Sequence, residues 1–597
     1  MSNQYAQRLA ALRQAMKKHQ IDGWIIPTGD PHLSEYLPAR WEGRNWLTGF
    51  SGTAGTIIVT ANSSELWVDG RYWEEAEHQL QGTGTVLKKL VTTPTHVDSL
   101  VEQLPENAVV GIAADVLSLA EKRHLEQAFG KKHIKLRHDV DLLDEVWEGR
   151  PGASDKPVFA QKAEFVPESA AQKLSRIRAA MKEQGADYHL VSGLDDIAWI
   201  TNLRGSDVPF DPIFLSFLLI GQDSATLFVD EAKLTADSKQ VLSEAKIGIA
   251  PYAAIGEAVA KLSGSLLITP DRTAVYTLSR LPENVKLIEN ISPSTLFKAC
   301  KTEAEIQHNK EAMVQDGVAL CGFFAELEQK LAKGERLSEL DIDTMLYEHR
   351  SKQPHFVGLC FGTHAGFKAN GSLPHYLAKP EKFSYLDGEG MLLIDSGAHY
   401  HNGTTDITRM VYIGTPSAEE KRDYTLVLKA HIALDQAVFP ENLSGVILDA
   451  VCRAQLWRAQ RDYSHGTGHG IGYFLNVHQG PQVISILKPL TQHNAMKPGM
   501  VTSNEPGLYR PGKWGIRIEN LLVARRVENP EETVFGNYLC FEAITLCPIN
   551  TQLIDRDLLT AEEIQWVNNY HAKVRAALAP RTEGAAKAWL EKNTQPI

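Results

Sequence analysis

The chain has 597 residues, of which 43% are hydrophobic and 22% are charged, the balance of soluble globular proteins with several domains. Its 73 acidic and 61 basic residues give a net charge of −12, which disfavours nucleic-acid binding because that function needs concentrated positive charge. No apolar run approaches the roughly 18 residues that span a bilayer, and the first residues lack the basic-then-apolar pattern of a secretion signal. We therefore expect a soluble multidomain protein with neither nucleic acid nor a membrane as partner.

The N-terminal half contains an internal repeat. Residues 8–17 (RLAALRQAMK) and 173–182 (KLSRIRAAMK) place apolar side chains on one helical face, and each predicted helix leads into a strand-like apolar segment. The segments 66–69 (LWVD) and 227–230 (LFVD) follow in the same order. Since a whole order of elements recurs, we predict a duplicated α/β domain. Chance similarity between two amphipathic helices is the alternative.

Two turn-rich stretches mark domain boundaries. Residues 148–157 (EGRPGASDKP) are polar and rich in turn-forming residues. After residues 292–301, the capping hydroxyl of Thr302 and the acids Glu303 and Glu305 in the first turn predict the start of a helix. We therefore predict domains at residues 1–155, 156–300 and 301–597.

The six cysteines all lie between Cys300 and Cys547, and no two of them form a CxxC pair. A disulfide scaffold is atypical of a chain of this size, and a thiolate metal site lacks the necessary spacing. This cysteine usage predicts reduced thiols and a cytoplasmic location.

Two aspartates in the last domain follow strand-like segments. Asp395 comes after the apolar residues 391–394 and before Ser396 and Gly397, a strand-to-turn signal, and Asp406 opens the next alternating segment. We expect the two strands to form a hairpin with both carboxylates at one end. Exposed hairpins often carry aspartates, so this pattern alone is weak evidence of a site.

A glycine-rich segment, residues 465–472 (HGTGHGIG), contains His465 and His469. Two histidines four residues apart share a helix face in zinc proteases, but each of the four glycines costs a helix ~1 kcal/mol. We therefore predict an extended segment whose glycines allow close packing against the backbone. A flexible loop with incidental histidines is the alternative.

Two further acids complete a possible ligand set. Glu505 precedes a proline, which keeps it extended, and Glu519 shares a strand face with Arg517. An exposed strand with an ion pair is the alternative for that second segment. Taken together, four carboxylates and one imidazole suit two divalent ions such as manganese, cobalt or zinc.

These motifs resemble those of the dinuclear-metal pita-bread peptidases, which include aminopeptidase P, prolidase and methionine aminopeptidase. The matching elements are the two aspartates and residues 465–472, 504–507 (NEPG) and 516–520 (IRIEN). Within this group the whole chain resembles three-domain cytosolic aminopeptidase P, and residues 30–36 and 49–55 resemble its first domain. The resemblance implies an α/β (α+β) chain with a C-terminal pita-bread catalytic domain after two related creatinase-like α/β domains.

The resemblance also implies roles for individual residues. It makes metal ligands of five side chains and manganese the expected ion, with zinc or cobalt possible; the ligands are Asp395, Asp406, His469, Glu505 and Glu519. Glu505 would also shuttle a proton, His478 would steady the oxyanion, and His375 would lie near the leaving nitrogen. His465 would line the proline side of the cleft, and Arg517 would hold a ligand carboxylate such as that of Asp395. Residues 356–371 match least, so no substrate contact is carried over from them.

The implied activity is hydrolysis of the N-terminal Xaa-Pro bond of peptides by a hydroxide held between two divalent ions. The expected substrates are peptides with proline at the second position, and the family suggests a homodimer. The alternatives are a prolidase, which cleaves the Xaa-Pro dipeptide, and a metal-free binding protein that reuses the fold. Substrate length separates the first alternative from the main prediction, and metal analysis separates the second.

Overall fold

The computed structural model describes residues 2–528 and 534–597, and the chain divides into two compact units. Unit 1 comprises Met1–Gln161 and Glu168–Ser294, and unit 2 comprises Lys162–Pro167 and Thr295–Ile597. The domain boundaries at residues 155/156 and 300/301 stay predictions. Among the described residues, no helix combines the length and the apolar composition that a membrane span requires.

Unit 1 contains two successive sets of helices and strands. The first set is α1 (Ser2–Lys18), β1 (Gly23–Ile26), α2 (Gly43–Thr48), β2 (Thr56–Thr60), β3 (Ser64–Val68), α3 (Trp73–Gln79), β4 (Val86–Lys89), α4 (His96–Gln103), β5 (Val109–Gly111), α5 (Leu119–Phe129), β6 (Lys135–Arg137), α6 (Leu142–Val146) and β7 (Phe159–Ala160). The second set is α7 (Ala170–Glu183), β8 (Tyr188–Val191), α8 (Leu194–Thr201), β9 (Leu203–Arg204), β10 (Phe217–Gly221), β11 (Ala225–Phe228), α9 (Ala236–Glu244), β12 (Gly248–Ala250), α10 (Ile255–Val259), β13 (Ser265–Ile268), α11 (Val275–Leu278) and β14 (Lys286–Glu289).

Six strands of each set form a six-stranded sheet, the two sheets have the same topology, and the remaining strands β7 and β9 pair with each other. The strand orders are β4-β3-β2-β1-β5-β6 and β12-β11-β10-β8-β13-β14. In each sheet the strand after the repeated helix pairs antiparallel on one side and parallel on the other. The predicted repeat of helix and strands therefore corresponds to a repeated sheet topology.

The apolar faces of the two repeated helices are buried, as their spacing predicts. On α1 these side chains are Leu9, Leu12 and Met16, each at most 4% exposed, and on α7 the corresponding positions are 0–1% exposed. Full burial of one such side chain contributes about 1.5–3 kcal/mol to folding. Packing of this face thus holds each helix on its sheet.

Unit 2 carries the longest helix and the longest strands of the described residues. Its elements are α12 (Pro293–Ala299, whose first two residues belong to unit 1), α13 (Glu303–Ala332), α14 (Glu339–Ser351), β15 (Phe356–Leu359), β16 (His364–Phe367), β17 (Gly390–Tyr400), β18 (Gly403–Ile413), α15 (Ala418–Asp435), β19 (Val438–Pro440), α16 (Gly445–Trp457), β20 (Gly468–His469), β21 (Val483–Ile484), β22 (Val501–Asn504), β23 (Gly507–Arg510), β24 (Trp514–Arg517), β25 (Asn520–Arg526), β26 (Tyr538–Ala543), α17 (Ala561–Leu578) and α18 (Gly584–Asn593). Strand β17 pairs with β15, β16 and β18, and a second sheet has the order β19-β26-β25-β22. The six cysteines are free thiols.

The predicted helix start after Thr302 is confirmed, and the start of α13 is set by a capping box. The Thr302 hydroxyl accepts the Glu305 backbone N–H, and the Glu305 carboxylate accepts the Thr302 N–H at 2.8 Å. The same pairing begins α14, α15 and α17. Such caps each stabilise a helix by about 1 kcal/mol.

The hairpin with the two aspartates is longer than predicted. The prediction that Asp395 ends one strand and Asp406 opens the next is wrong, because both lie inside eleven-residue strands. In their register, Asp395 faces Thr408 and Gly397 faces Asp406. A Cβ atom on Gly397 would lie 2.5 Å from Cys360 Sγ, so this glycine permits close packing and does not mark a turn.

Candidate metal centre

Three side chains from separate elements converge in unit 2. The ligand atoms of Asp406 on β18, His469 on β20 and Glu519 before β25 all lie within 4.8 Å of one another. His469 Nε2 is 3.6 Å from Asp406 Oδ2 and 3.3 Å from Glu505 Oε1. Carboxylate oxygens and an imidazole nitrogen gathered at this distance are a donor set for a divalent cation.

Asp395 lies at the same cluster and is held by Arg517. Arg517 Nη2 donates to Asp395 Oδ2 at 2.5 Å. The other oxygen, Oδ1, is buried and has no hydrogen-bond partner among the described residues. Leaving such an atom unsatisfied costs about 1–3 kcal/mol, and a bound cation would remove that cost. The donor set therefore fits a metal ion.

The four carboxylates repel one another strongly in this buried position. Burial, together with the neighbouring Asp395 and Glu505 carboxylates, raises the pKa of Asp406 well above its usual value. Burial, and then the Asp406, Glu505 and Asp395 carboxylates, likewise raise the pKa of Glu519 well above its usual value. Burial also acts on Glu505, but its hydrogen bond to His469 and the charge of that imidazole lower the pKa of Glu505 to about 2. Divalent cations would relieve this repulsion.

Ser503 connects two of the predicted ligands. Its hydroxyl accepts the backbone N–H of His469 at 2.9 Å and donates to Glu505 Oε1 at 3.1 Å. A Cβ atom on Gly468 would collide with the Ser503 carbonyl oxygen. The prediction of an extended segment that packs closely against backbone is confirmed at Gly468 and His469, which form strand β20, and residues 465–472 contain no helix.

Helix α16 fixes the glycine-rich segment from one side. Arg453 Nη2 donates to the His465 carbonyl at 2.5 Å, and Nη1 donates to the Tyr463 carbonyl at 2.8 Å. Asp449, which accepts from Arg453, also accepts the Thr467 hydroxyl. Sequence reasoning missed both helix residues, since Asp and Arg four residues apart are common surface pairs.

His465 is connected to the metal centre through Tyr509. Its Nδ1 lies 2.7 Å from the Gly466 carbonyl and therefore donates, so Nε2 accepts the Tyr509 hydroxyl at 2.8 Å. Arg517 Nη1 donates to the same hydroxyl at 2.6 Å. Burial lowers the pKa of His465 to about 4, so the ring is neutral near pH 7. Tyr509 was not predicted, although it lies only four residues after Glu505.

The remaining two histidines differ in their distance from the cluster. The His478 ring lies edge-on against His469, with centroids 4.3 Å apart, and the loop that carries it is closed by the Gln479 N–H to Gly470 carbonyl bond. The His375 ring contacts His364, with centroids 5.5 Å apart. The predicted residues other than His375 are thus linked directly or through one hydroxyl group, and His375 is paired with His364, a residue of strand β16.

Models of known protein families match almost the whole chain. Two models of the creatinase/prolidase N-terminal domain match residues 8–146 and 149–305. The model of metallopeptidase family M24 matches residues 307–526, and that of the C-terminal region of peptidase M24 matches residues 537–597. The fold is therefore the pita-bread domain after two creatinase-type α/β domains.

Full-length relatives share this arrangement. The chain is 38% identical to aminopeptidase P2 of Arabidopsis thaliana, over 97% of this chain and 86% of that protein. It is 39% identical to a probable Xaa-Pro aminopeptidase P of Sordaria macrospora, over 99% of each chain. The crystal structure of X-prolyl aminopeptidase from Caenorhabditis elegans, a cytosolic enzyme with a di-nuclear active site, matches with a TM-score of 0.94 at 31% identity, over 99% of this chain and 100% of that one. The chain belongs to the aminopeptidase P family of M24 metallopeptidases.

Proposed function

We propose that the protein is an Xaa-Pro aminopeptidase, which releases the first residue of peptides whose second residue is proline. The observation that carries this proposal is the convergence of Asp395, Asp406, His469, Glu505 and Glu519 in a chain that resembles named aminopeptidases along its full length. These five residues would hold two divalent ions, with manganese expected and zinc or cobalt as alternatives. When bound, the ions would activate a water molecule and polarise the scissile carbonyl.

The protein's own side chains would transfer the proton, stabilise the oxyanion and hold the ligands in position. Glu505 would take the proton of the attacking water and pass it to the prolyl nitrogen; its carboxylate lies 3.3 Å from Nε2 of His469, another of the five proposed ligands. His478, whose ring packs against His469, would donate to the developing oxyanion. Arg517 holds Asp395 in place through its guanidinium group.

Recognition of proline follows from the lack of an N–H on its tertiary nitrogen. Most peptidases hold the substrate backbone through that hydrogen, so a proline-specific cleft must use other contacts. His375 would lie beside the leaving nitrogen and His465 on the proline side. The neutral His465 ring, fixed between Gly466 and Tyr509, offers a rigid wall for the proline ring.

We also propose a cytoplasmic location and a homodimer. The location is supported by the lack of disulfides among the described cysteines and by the cytosolic relative. The homodimer is supported by exposed apolar side chains on α16 and the loop after β21.

The test uses a tripeptide Xaa-Pro-Yaa, with and without a chelator. We expect release of the first residue, loss of activity after chelation, recovery on adding manganese, and about two equivalents of bound metal. The Xaa-Pro dipeptide should be cleaved more weakly, and an Xaa-Ala-Yaa peptide far more slowly. Preferred cleavage of the dipeptide would indicate a prolidase, and a protein without metal or activity would indicate a binding protein.

A further inference from the structure

A second imidazole, His364, lies beside His375 in the segment to which the resemblance assigned no role. His364 is the first residue of β16, and its Cα is the cross-strand partner of Asp395 on β17. Directly opposed residues of an antiparallel pair extend to the same face of the sheet. The His364 side chain therefore lies on the face that carries Asp395.

His364 is bonded to the main chain next to His375. Its Nδ1 is 2.9 Å from the carbonyl oxygen of Tyr376. A carbonyl oxygen only accepts, so Nδ1 carries the proton. Because Tyr376 directly follows His375, this bond ties the loop of His375 to strand β16.

The His364 ring also contacts His375 directly. It lies between two rings: it is stacked on Phe361 at 5.7 Å and 26°, and it meets His375 at 5.5 Å and 65°. Such ring pairs have preferred geometries and restrict rotation. His375 is thus restrained twice by one residue, at its ring and at the following carbonyl.

The support behind His364 is itself rigid. Glu339, which is fully buried, accepts the Phe367 N–H at the end of β16 at 2.7 Å and the Tyr376 hydroxyl at 2.8 Å. Gly366 has its backbone against Gly371, and a Cβ atom on Gly366 would lie 2.8 Å from the Gly371 backbone. Strand β16 and the loop of His375 are therefore held together at both ends, and His364 completes the connection on the side of the metal centre.

We infer that His364 is a positioning residue for His375, which sets the orientation of that imidazole beside the leaving nitrogen. This inference rests on the proposed aminopeptidase activity. A reacting group displaced by about 1 Å can lose about 10²-fold in rate, so a residue that fixes ring and backbone together affects turnover without touching the substrate.

Three variants separate the two contacts. His364→Asn keeps a donor near the position of Nδ1 and removes the ring, His364→Phe keeps the ring and removes the donor, and His364→Ala removes both. With the tripeptide Xaa-Pro-Yaa we expect kcat to fall about 10- to 100-fold in His364→Ala and less in the other two. The bound metal should stay at the wild-type value. Unchanged kcat, or metal lost together with activity, would overturn the inference.

A double-mutant cycle tests whether His364 acts through His375. If it does, His364→Asn and His364→Phe should cost nothing further in a His375→Ala background, whereas additive losses would overturn the inference. A second readout is the NMR signal of the His375 ring in metal-free protein, assigned by its absence in His375→Ala. It should shift in the His364 variants, and an unmoved signal would also overturn the inference. If wild-type protein does not cleave the tripeptide at all, the proposed function fails. The NMR result still tests whether His364 sets the environment of the His375 ring.

Discussion

At the scale of single residues, Thr408 shows how little positive charge the candidate site contains. Its hydroxyl accepts from Arg517 Nε at 3.2 Å and donates to Glu519 Oε2 at 2.8 Å. Arg517 is also the residue that bonds Asp395. One guanidinium group therefore serves two of the four carboxylates, and the negative charge that remains on the cluster is one that bound divalent cations would balance.

The repulsion between the four carboxylates leads to a prediction for Asp406→Asn. The change is nearly isosteric and removes one of the mutually repelling charges. We expect activity on Xaa-Pro-Yaa to fall at least about 10²-fold and bound metal to fall below the wild-type amount, because a charged ligand is lost. In chelator the variant should melt at the same temperature as wild type or higher, since the repulsion that raises the Asp406 pKa is relieved.

Metal analysis and thermal melting with and without chelator check both parts. Wild-type turnover at saturating manganese would remove Asp406 from the ligand set. A metal-free variant much less stable than metal-free wild type would show that Asp406 stabilises the fold by contacts other than charge.

His478→Ala makes a different prediction, since this residue is assigned to the substrate and not to the metal. We expect kcat to fall about 10²–10³-fold, the scale for one lost oxyanion donor, with the bound metal unchanged. Steady-state kinetics and metal analysis check it, and His124→Ala, which removes an exposed imidazole on α5, is the control. Loss of metal in His478→Ala would make His478 a ligand and contradict the assigned role.

At the scale of elements, helix α15 joins the two segments that carry the glutamates. His431 Nδ1 lies 3.1 Å from the Asn504 carbonyl and 3.2 Å from the Ile518 carbonyl. These residues directly precede Glu505 and Glu519. Asn504 Nδ2 donates in return to the His431 carbonyl at 2.9 Å. One buried imidazole thus fixes the spacing of two candidate ligands.

The sequence could predict which side chains gather at the candidate site but not what supports them. Residue type, order and the family resemblance together pointed to Asp406 and His469, whose ligand atoms lie within 4.8 Å of each other, because a cation restricts the donors that can hold it. His431, Arg453 and Tyr509 are ordinary residues in their local sequence, and their roles arise from contacts between elements distant along the chain. The length of the strand that contains Asp395 was also not predicted, because Gly397 was interpreted as a turn signal. In the folded chain this glycine instead leaves room for the side chain of Cys360, which is distant in sequence.

The C-terminal segment supports the site through Arg409. This buried guanidinium group donates to the Glu519 carbonyl at 2.7 Å, to the Cys547 carbonyl at 2.9 Å and to the Tyr570 hydroxyl at 2.8 Å. Strand β18, the segment before β25 and helix α17 therefore meet at one side chain. Arg409 thus connects helix α17 to the backbone of Glu519, one of the proposed ligands.

The docking of α17 should depend on pH through His571. The buried His571 Nε2 accepts the Ile549 N–H at 3.0 Å, which requires an unprotonated nitrogen. Burial, and then the charge of Arg409, lower the pKa of His571 to about 4. The unfolded value is about 6.5, so the unfolded chain binds more protons and stability falls as pH drops below about 6.5. At pH 5 this amounts to about 2 kcal/mol relative to pH 8.

His571→Gln is the matched variant, because its amide oxygen can accept the Ile549 N–H and does not titrate. Denaturant unfolding at pH 8 and pH 5 should show a smaller pH-dependent loss in the variant, by about 2 kcal/mol. Equal losses in both proteins would mean that His571 is not held neutral by the fold.

At the scale of the whole molecule, unit 2 exposes a group of large apolar side chains on α16 and on the loop after β21. On α16, Ile447 and Val451 lie four residues apart and are 49% and 39% exposed. The loop after β21 adds Ile486, Leu487 and Leu490, which are 42%, 62% and 65% exposed. The Ile486 N–H donates to Asp449 on α16 at 2.6 Å, so helix and loop form one surface. Large apolar patches are rare on monomers and usually mark an interface.

In the proposed homodimer, a second copy of the chain packs against this surface. A two-fold symmetric contact would bury the surface on both copies. We therefore expect light scattering to give twice the 66.1 kDa mass of one chain. The double change Leu487→Ser and Leu490→Ser should shift the protein to the monomer mass, since it removes apolar area worth about 25 cal/mol per Å² at the interface.

The control is the double change Val86→Ser and Val91→Ser. It alters two valines of unit 1 with comparable exposure (54% and 72%) and should leave the dimer intact. A monomeric wild-type protein would refute the homodimer, and a dimer that survives the leucine changes would place its interface on another surface.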